Sequence, residues 1–144
     1  MRAGIAVHTG VVARIEKLNP EAIRAPAGTY SHLARVPAGA QLIVVAGQVG
    51  IGPDGTAGDF EDQCAQAFAN VGAALEAAGA GWADVIQTMT FLTRREDRQR
   101  LREWRNAAYA DHFPDGRYPP NTLLVVDALA TDDLLIEVQA IAAL

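Results

Sequence analysis

The chain has 144 residues, enough for one domain with a sizeable core and too few for two large ones. Half of it is hydrophobic, which is a globular rather than a disordered composition. A net charge of −5 and a pI near 5.1 speak against a duplex nucleic-acid binder, which presents a basic face.

Residues 1–13 read as a flexible tail. Their apolar stretch is short and interrupted by Gly4, His8 and Gly10, unlike the core of a signal peptide. No apolar run is long enough to span a bilayer. Cys64 stands alone, so no internal disulfide forms, and no Cys/His cluster has metal-ligand spacing. A reducing, cytoplasmic setting is expected.

Arg14 to Leu18 reads as a short first strand, ended by Asn19-Pro20. Tyr30 to Val36 alternates, Pro37-Ala38-Gly39 turns the chain, and Gln41 to Val49 carries the apolar run Leu42 to Ala46. These two segments are expected to pair as a hairpin. Asp59 to Ala78 is the clearest helix: Phe60, Cys64, Ala67, Phe68, Val71, Leu75 and Ala78 fall on one stripe, with Asp59 as N-cap and Gly79 as stop. Cys64 on that stripe is expected to be a small core residue. Val85 to Thr93 is rich in β-branched residues and reads as a strand. A second helix runs from Glu96 or Asp97 to about Phe113, with Leu101, Trp104, Ala108 and Phe113 expected inward. Its arginines, Arg98, Arg100, Arg102 and Arg105, follow Arg94-Arg95 and are interleaved with Glu96, Asp97 and Glu103. They read as a solvated face, with a phosphate-binding role as the sharper alternative. Two closing strands follow, Thr122 to Ala128 and Leu134 to Ala143.

The expected fold is α/β (α+β): one domain, a mixed, mostly antiparallel sheet of about six strands with two helices on one face. An apolar second face would need cover, and a partner subunit is the natural source.

Glu137 is the sharpest candidate for function, because a carboxylate inside an aliphatic strand is costly unless it is paired, hydrated or used. Its plainer reading is an ion pair with an arginine across a subunit interface. Asn121 enters the other closing strand after Pro119-Pro120, as a binding group or as a strand-initiating cap. His32 and His112 have no partner in sequence, and Trp82 and Trp104 read as core or interface.

Several segments together resemble the Rid family, the reactive-intermediate deaminases also called YjgF-like or L-PSP endoribonuclease-like proteins. They are Gly28-Thr29-Tyr30-Ser31, Val45-Ala46-Gly47-Gln48-Val49, the Gln63, Phe68, Asn70 and Val71 pattern, Ala83 to Leu92, Pro119 to Val126, and Ile136 to Ala142. The resemblance runs from about Arg14 to Leu144. It implies a chorismate-mutase-like fold and a homotrimer with a small-molecule cleft between neighbouring subunits. It also implies hydrolysis of imines or enamines to a carbonyl compound and ammonia, without metal or organic cofactor. By the same resemblance Glu137 positions or activates water. Tyr30, Gly47, Gln48 and Leu123 line the cleft, Gly47 and Leu123 through their backbones. Asn121 stands where the deaminating members carry a carboxylate-gripping arginine. That departure points to a substrate other than a free 2-imino acid. The competing classes are a non-catalytic trimeric module that binds a small molecule or a protein, and an endoribonuclease. The acidic chain, without a His pair or an aromatic stacking stripe, speaks against the latter.

Overall fold

The structure, a computed structural model, describes residues 14–144; the tail expected over 1–13 lies outside them. In chain order the elements are β1 (Glu16–Leu18), β2 (Leu33–Arg35), β3 (Leu42–Val49), α1 (Phe60–Ala77), β4 (Val85–Leu92), α2 (Asp97–His112), β5 (Asn121–Val125) and β6 (Ile136–Ala143). The six strands divide into a four-stranded sheet, ordered β3-β6-β4-β5, and a two-stranded ribbon of β1 and β2. β6 runs antiparallel to both its neighbours. β5 lies parallel to β4, and α2 supplies the crossover that a parallel pair requires.

The hairpin expected between Tyr30 to Val36 and Gln41 to Val49 does not form. The turn is present, with Gly39 at φ 81° and Ala40 N–H bonded to the Pro37 carbonyl. However, β2 pairs back onto β1, and β3 pairs with β6. Gln41 and Leu144 exchange both backbone hydrogen bonds, at 2.8 and 2.9 Å, closing β3 onto the end of the chain. The reason is burial. β2 turns only Ala34 inward and exposes Leu33 and Arg35, whereas β6 presents Val138, Ala140 and Ala142 on the helix side of the sheet.

α1 matches its sequence signals. Asp59 Oδ1 accepts the Asp62 N–H at 3.0 Å, an N-cap bond. At the other end Gly79 adopts φ 76°, Gly79 N–H reaches the Glu76 carbonyl and Ala80 N–H the Leu75 carbonyl, which is a Schellman closure. The stripe Phe60, Cys64, Ala67, Phe68, Val71 and Leu75 is buried. Phe68 meets Trp104 at 4.8 Å and Trp82 at 5.6 Å between ring centroids, so both tryptophans belong to this packing.

The inward face of α2 matches the expected one in part: Leu101 and Phe113 are buried and Trp104 packs against the core, but the fully buried stripe takes in other residues. Asp97, Leu101, Arg105 and Tyr109 are buried, while Trp104 and Ala108 are only partly covered. The stripe runs at i, i+4 spacing but includes two charged residues, which a hydrophobic count discards.

Both helices cover one face of the four-stranded sheet. On the opposite face, Leu42 and Val44 remain 59% and 74% exposed. Ile141, Met89, Phe91 and Leu124 accompany them, each partly exposed.

Candidate functional site

β5 begins where Pro119 and Pro120 end, and both prolines are tied down. The Pro119 carbonyl accepts Ser31 N–H and the Pro120 carbonyl accepts Thr88 N–H. The first tie draws the Gly28 to Tyr30 loop against the start of β5. Between this loop, β5 and α2 opens a cleft of about 800 Å³, lined by Tyr30, Asn121 and Leu123 together with Arg98, Arg102 and Arg105.

Asn121 is held from within, with one acceptor site of its oxygen left over. Its Nδ2 donates to Thr88 Oγ1 at 2.9 Å and Thr90 Oγ1 at 3.1 Å, and its Oδ1 accepts from Arg105 Nη1 at 3.1 Å. Arg105 Nη2 also donates to Thr90 Oγ1 at 2.6 Å. The guanidinium packs over the Tyr109 ring, 5.4 Å from its centroid. Arg105 is 8% exposed, not part of a solvated face. Its position was findable: it lies four residues after Leu101 and four before Tyr109, on the apolar stripe itself. Arg100 is the outward member, paired with Glu61 and with Asp97.

Gly47 and Glu137 form a second group, with Gln48 next along β3 in register with Val138. β3 and β6 shift register between Val45 and Gln48, and Gly47 lies in that irregularity. A Cβ at Gly47 would sit 1.7 Å from Glu137 Oε1, so the carboxylate lies in the space that a side chain at Gly47 would take. Gln48 Nε2 turns back to the Ala46 carbonyl at 3.2 Å. Glu137 is half-buried and, among the described residues, has neither an ion pair nor a side-chain hydrogen bond.

The two groups do not meet within one chain. Asn121 is opposite Thr88, whose side chain faces the helices. Glu137 is opposite Phe91 and Val49, out of step with the buried Ile136 and Val138. Side chains alternate along a strand, so Asn121 and Glu137 emerge on opposite faces. They also lie on different strands, with β4 between β5 and β6.

The remaining titratable candidates are structural. Burial pushes the Cys64 thiol up to about 12, leaving it neutral and unreactive. His32 Nε2 contacts the Arg24 carbonyl at 2.8 Å, and its ring meets Tyr30 edge-on. His112 stacks flat on Trp82 at 4.7 Å. Among the described residues no group of three or more His, Cys, Asp or Glu is placed to hold a metal ion, and no helix is long and apolar enough to cross a membrane.

An α+β domain with a cleft between a helix and an edge strand defines the broad class; comparison with known proteins narrows it. Residues 21–144 match the family described as Endoribonuclease L-PSP. A RutC family protein of Pyrococcus horikoshii is 35% identical over 120 residues, covering 81% of this chain and 88% of that protein. A RutC family protein of Synechocystis is 31% identical over 124 residues, covering 83% and 89%. Among solved structures, a member of the conserved Rid protein family from Yersinia pestis superposes with a TM-score of 0.78. It is 31% identical and covers 92% of this chain and 100% of that one. Escherichia coli TdcF with bound serine gives a TM-score of 0.66 at 28% identity, covering 76% and 84%. The chain belongs to the Rid/YjgF family, also called the L-PSP family.

Proposed function

We propose that the protein is a cofactor-free hydrolase of small imines or enamines, and that its working site is completed between subunits of a homotrimer. The observation that carries this reading is Glu137. A half-buried carboxylate without a partner, lying against a glycine on an uncovered sheet face, is free to orient or deprotonate a water. The apolar neighbours of Glu137 on that face favour contact with a second copy. That contact would bring Gly47, Gln48 and Glu137 of one subunit to the Tyr30, Asn121 and Leu123 cleft of the next. Backbone N–H groups at Gly47 and Leu123 would hold a developing oxyanion or a carboxylate. The neighbour with bound serine supports a ligand of that size in this family.

Ammonia release from freshly generated imines tests the reading, with Glu137→Ala as the blank. A hydrolase releases ammonia well above that blank. Equal rates for wild type and Glu137→Ala on every imine would end it. A second reading, a binding module without turnover, is favoured by Asn121, whose hydrogen-bonding capacity is used internally but for one acceptor site. Ligand binding without any release of ammonia would select it.

A further inference from the structure

Arg105 poses an electrostatic problem that the chain does not solve. A guanidinium has five N–H donors and keeps its charge at any physiological pH. Arg105 meets two neutral acceptors, Asn121 Oδ1 and Thr90 Oγ1, and its buried Nε has no partner among the described residues. No carboxylate pairs with it among the described residues; Asp97, two turns earlier on the same buried stripe, accepts from Arg100 through Oδ1 and keeps a buried Oδ2 without a partner among them. A buried cation without a counter-charge is costly, and the cost falls when an anion arrives. The same cleft is lined by Arg95, just before α2, and on the helix itself also receives Arg98 and Arg102, beside Arg105. These three arginines fall at i, i+4 and i+7, a single stripe of α2. Arg98 donates only to the Arg95 carbonyl, and neither Arg98 nor Arg102 has an acidic partner among the described residues. Among the described residues Glu96 is the one carboxylate lining the cleft. Along the helix axis Arg102 and Arg105 are separated by about 4.5 Å, a spacing short enough for one small molecule to bridge.

We propose that the cleft takes a small dianionic ligand. Arg105 holds its inner carboxylate and Arg102 holds the second anionic group at the mouth. The proposal deepens the reading of this cleft as the substrate site and rests on it only for the reaction. It restores to the site the positive charge that Asn121 lacks, from a different element. An imine of a dicarboxylic skeleton is then favoured over an uncharged one.

Calorimetric titration of the full chain at low ionic strength tests it, with glutarate, butyrate and butyramide as probes. Glutarate should bind about ten-fold more tightly than butyrate, as one added charge-assisted contact predicts, and butyramide should not bind. Arg105→Met should weaken both acids at least about ten-fold. Arg102→Ala should reduce glutarate to the level of butyrate and leave butyrate unchanged. Butyramide binding as well as butyrate overturns the proposal. So does a folded Arg105→Met protein with undiminished acid binding, the result expected if Asp97 balances the charge internally. Failure of wild type to bind either acid at millimolar concentration also overturns it. Where Arg105→Met does not fold, Arg102→Ala decides: loss of the glutarate preference supports the proposal and its persistence overturns it. Acid binding without ammonia release would sink the hydrolase reading and leave the anion site standing. Release from uncharged imines without acid binding would do the reverse.

Discussion

At the scale of single residues, polar side chains in apolar surroundings carry most of the information. Glu137 fills the space beside Gly47, and Asn121 is held by Thr88, Thr90 and Arg105. His112 shows how such a residue couples to solution conditions. Its ring lies on Trp82, near Phe68, Tyr109 and Phe113, and its buried Nε2 has no partner among the described residues. Burial holds its pKa below the ordinary 6.5, with Asp111 opposing weakly. As pH falls below 6.5, the unfolded chain binds a proton that the folded chain refuses, so stability declines towards the lower folded value. His112→Phe preserves the stack and removes the proton site. The drop in Tm between about pH 7.5 and pH 5.5 should therefore be smaller in the variant than in wild type. Equal drops would show that carboxylates alone govern the acid limb.

At the scale of elements, the buried polar residues of α1 fasten it to the sheet. Gln63 is almost fully buried, and its Nε2 donates to the Gly58 and Asp133 carbonyls at 3.1 and 2.9 Å. Its Oε1 accepts Leu135 N–H at 2.8 Å, just before β6 starts. A Cβ at Gly50 would lie 2.4 Å from Gln63 Cβ, so β3 can leave the sheet past α1 only at a glycine. Asn70 holds the Val49 and Ile51 carbonyls at 3.0 and 3.1 Å. The Gln63 and Asn70 pattern visible in the sequence is therefore a set of backbone anchors. Gln63→Met keeps the volume but orphans two carbonyls and one N–H, and it should cost about 3 kcal/mol in urea unfolding. A loss below about 0.5 kcal/mol would mean that water replaces the amide at no net cost.

At the scale of the whole molecule, the sheet has one covered and one open face. Val44 projects outward beside Ile141 on an edge strand, and Leu42 projects from the same side of β3. An aliphatic surface of this kind invites burial against a second copy. On the proposed trimer, Leu42→Lys with Val44→Lys should shift light-scattering mass towards the monomer and abolish activity together with assembly, while the circular dichroism of the fold persists. A double variant that keeps the wild-type mass would place the subunit contact elsewhere.

Local signals in the chain were enough for α1, β3, β4, α2 and β6, because periodicity, caps and β-branched runs act over a few residues. The family was legible too, since its motifs follow one another in order from Gly28 to Ala142. The pairing of β3 was not legible: a turn at Pro37 to Gly39 signals a hairpin, but burial against β6, nearly a hundred residues away, outweighs it. The two closing strands look like neighbours in sequence, yet β4 separates them, because the α2 crossover makes β5 parallel to β4. Arg105 carries a spacing signal, four residues from both Leu101 and Tyr109, that its charge masks. Charge patterning assigns an arginine to water, and only the tertiary structure, by placing Thr90, Asn121 and Tyr109 around it, keeps that charge inside. Local chemistry was thus written in the sequence. Which charges are buried, and which strands meet, was decided by long-range packing.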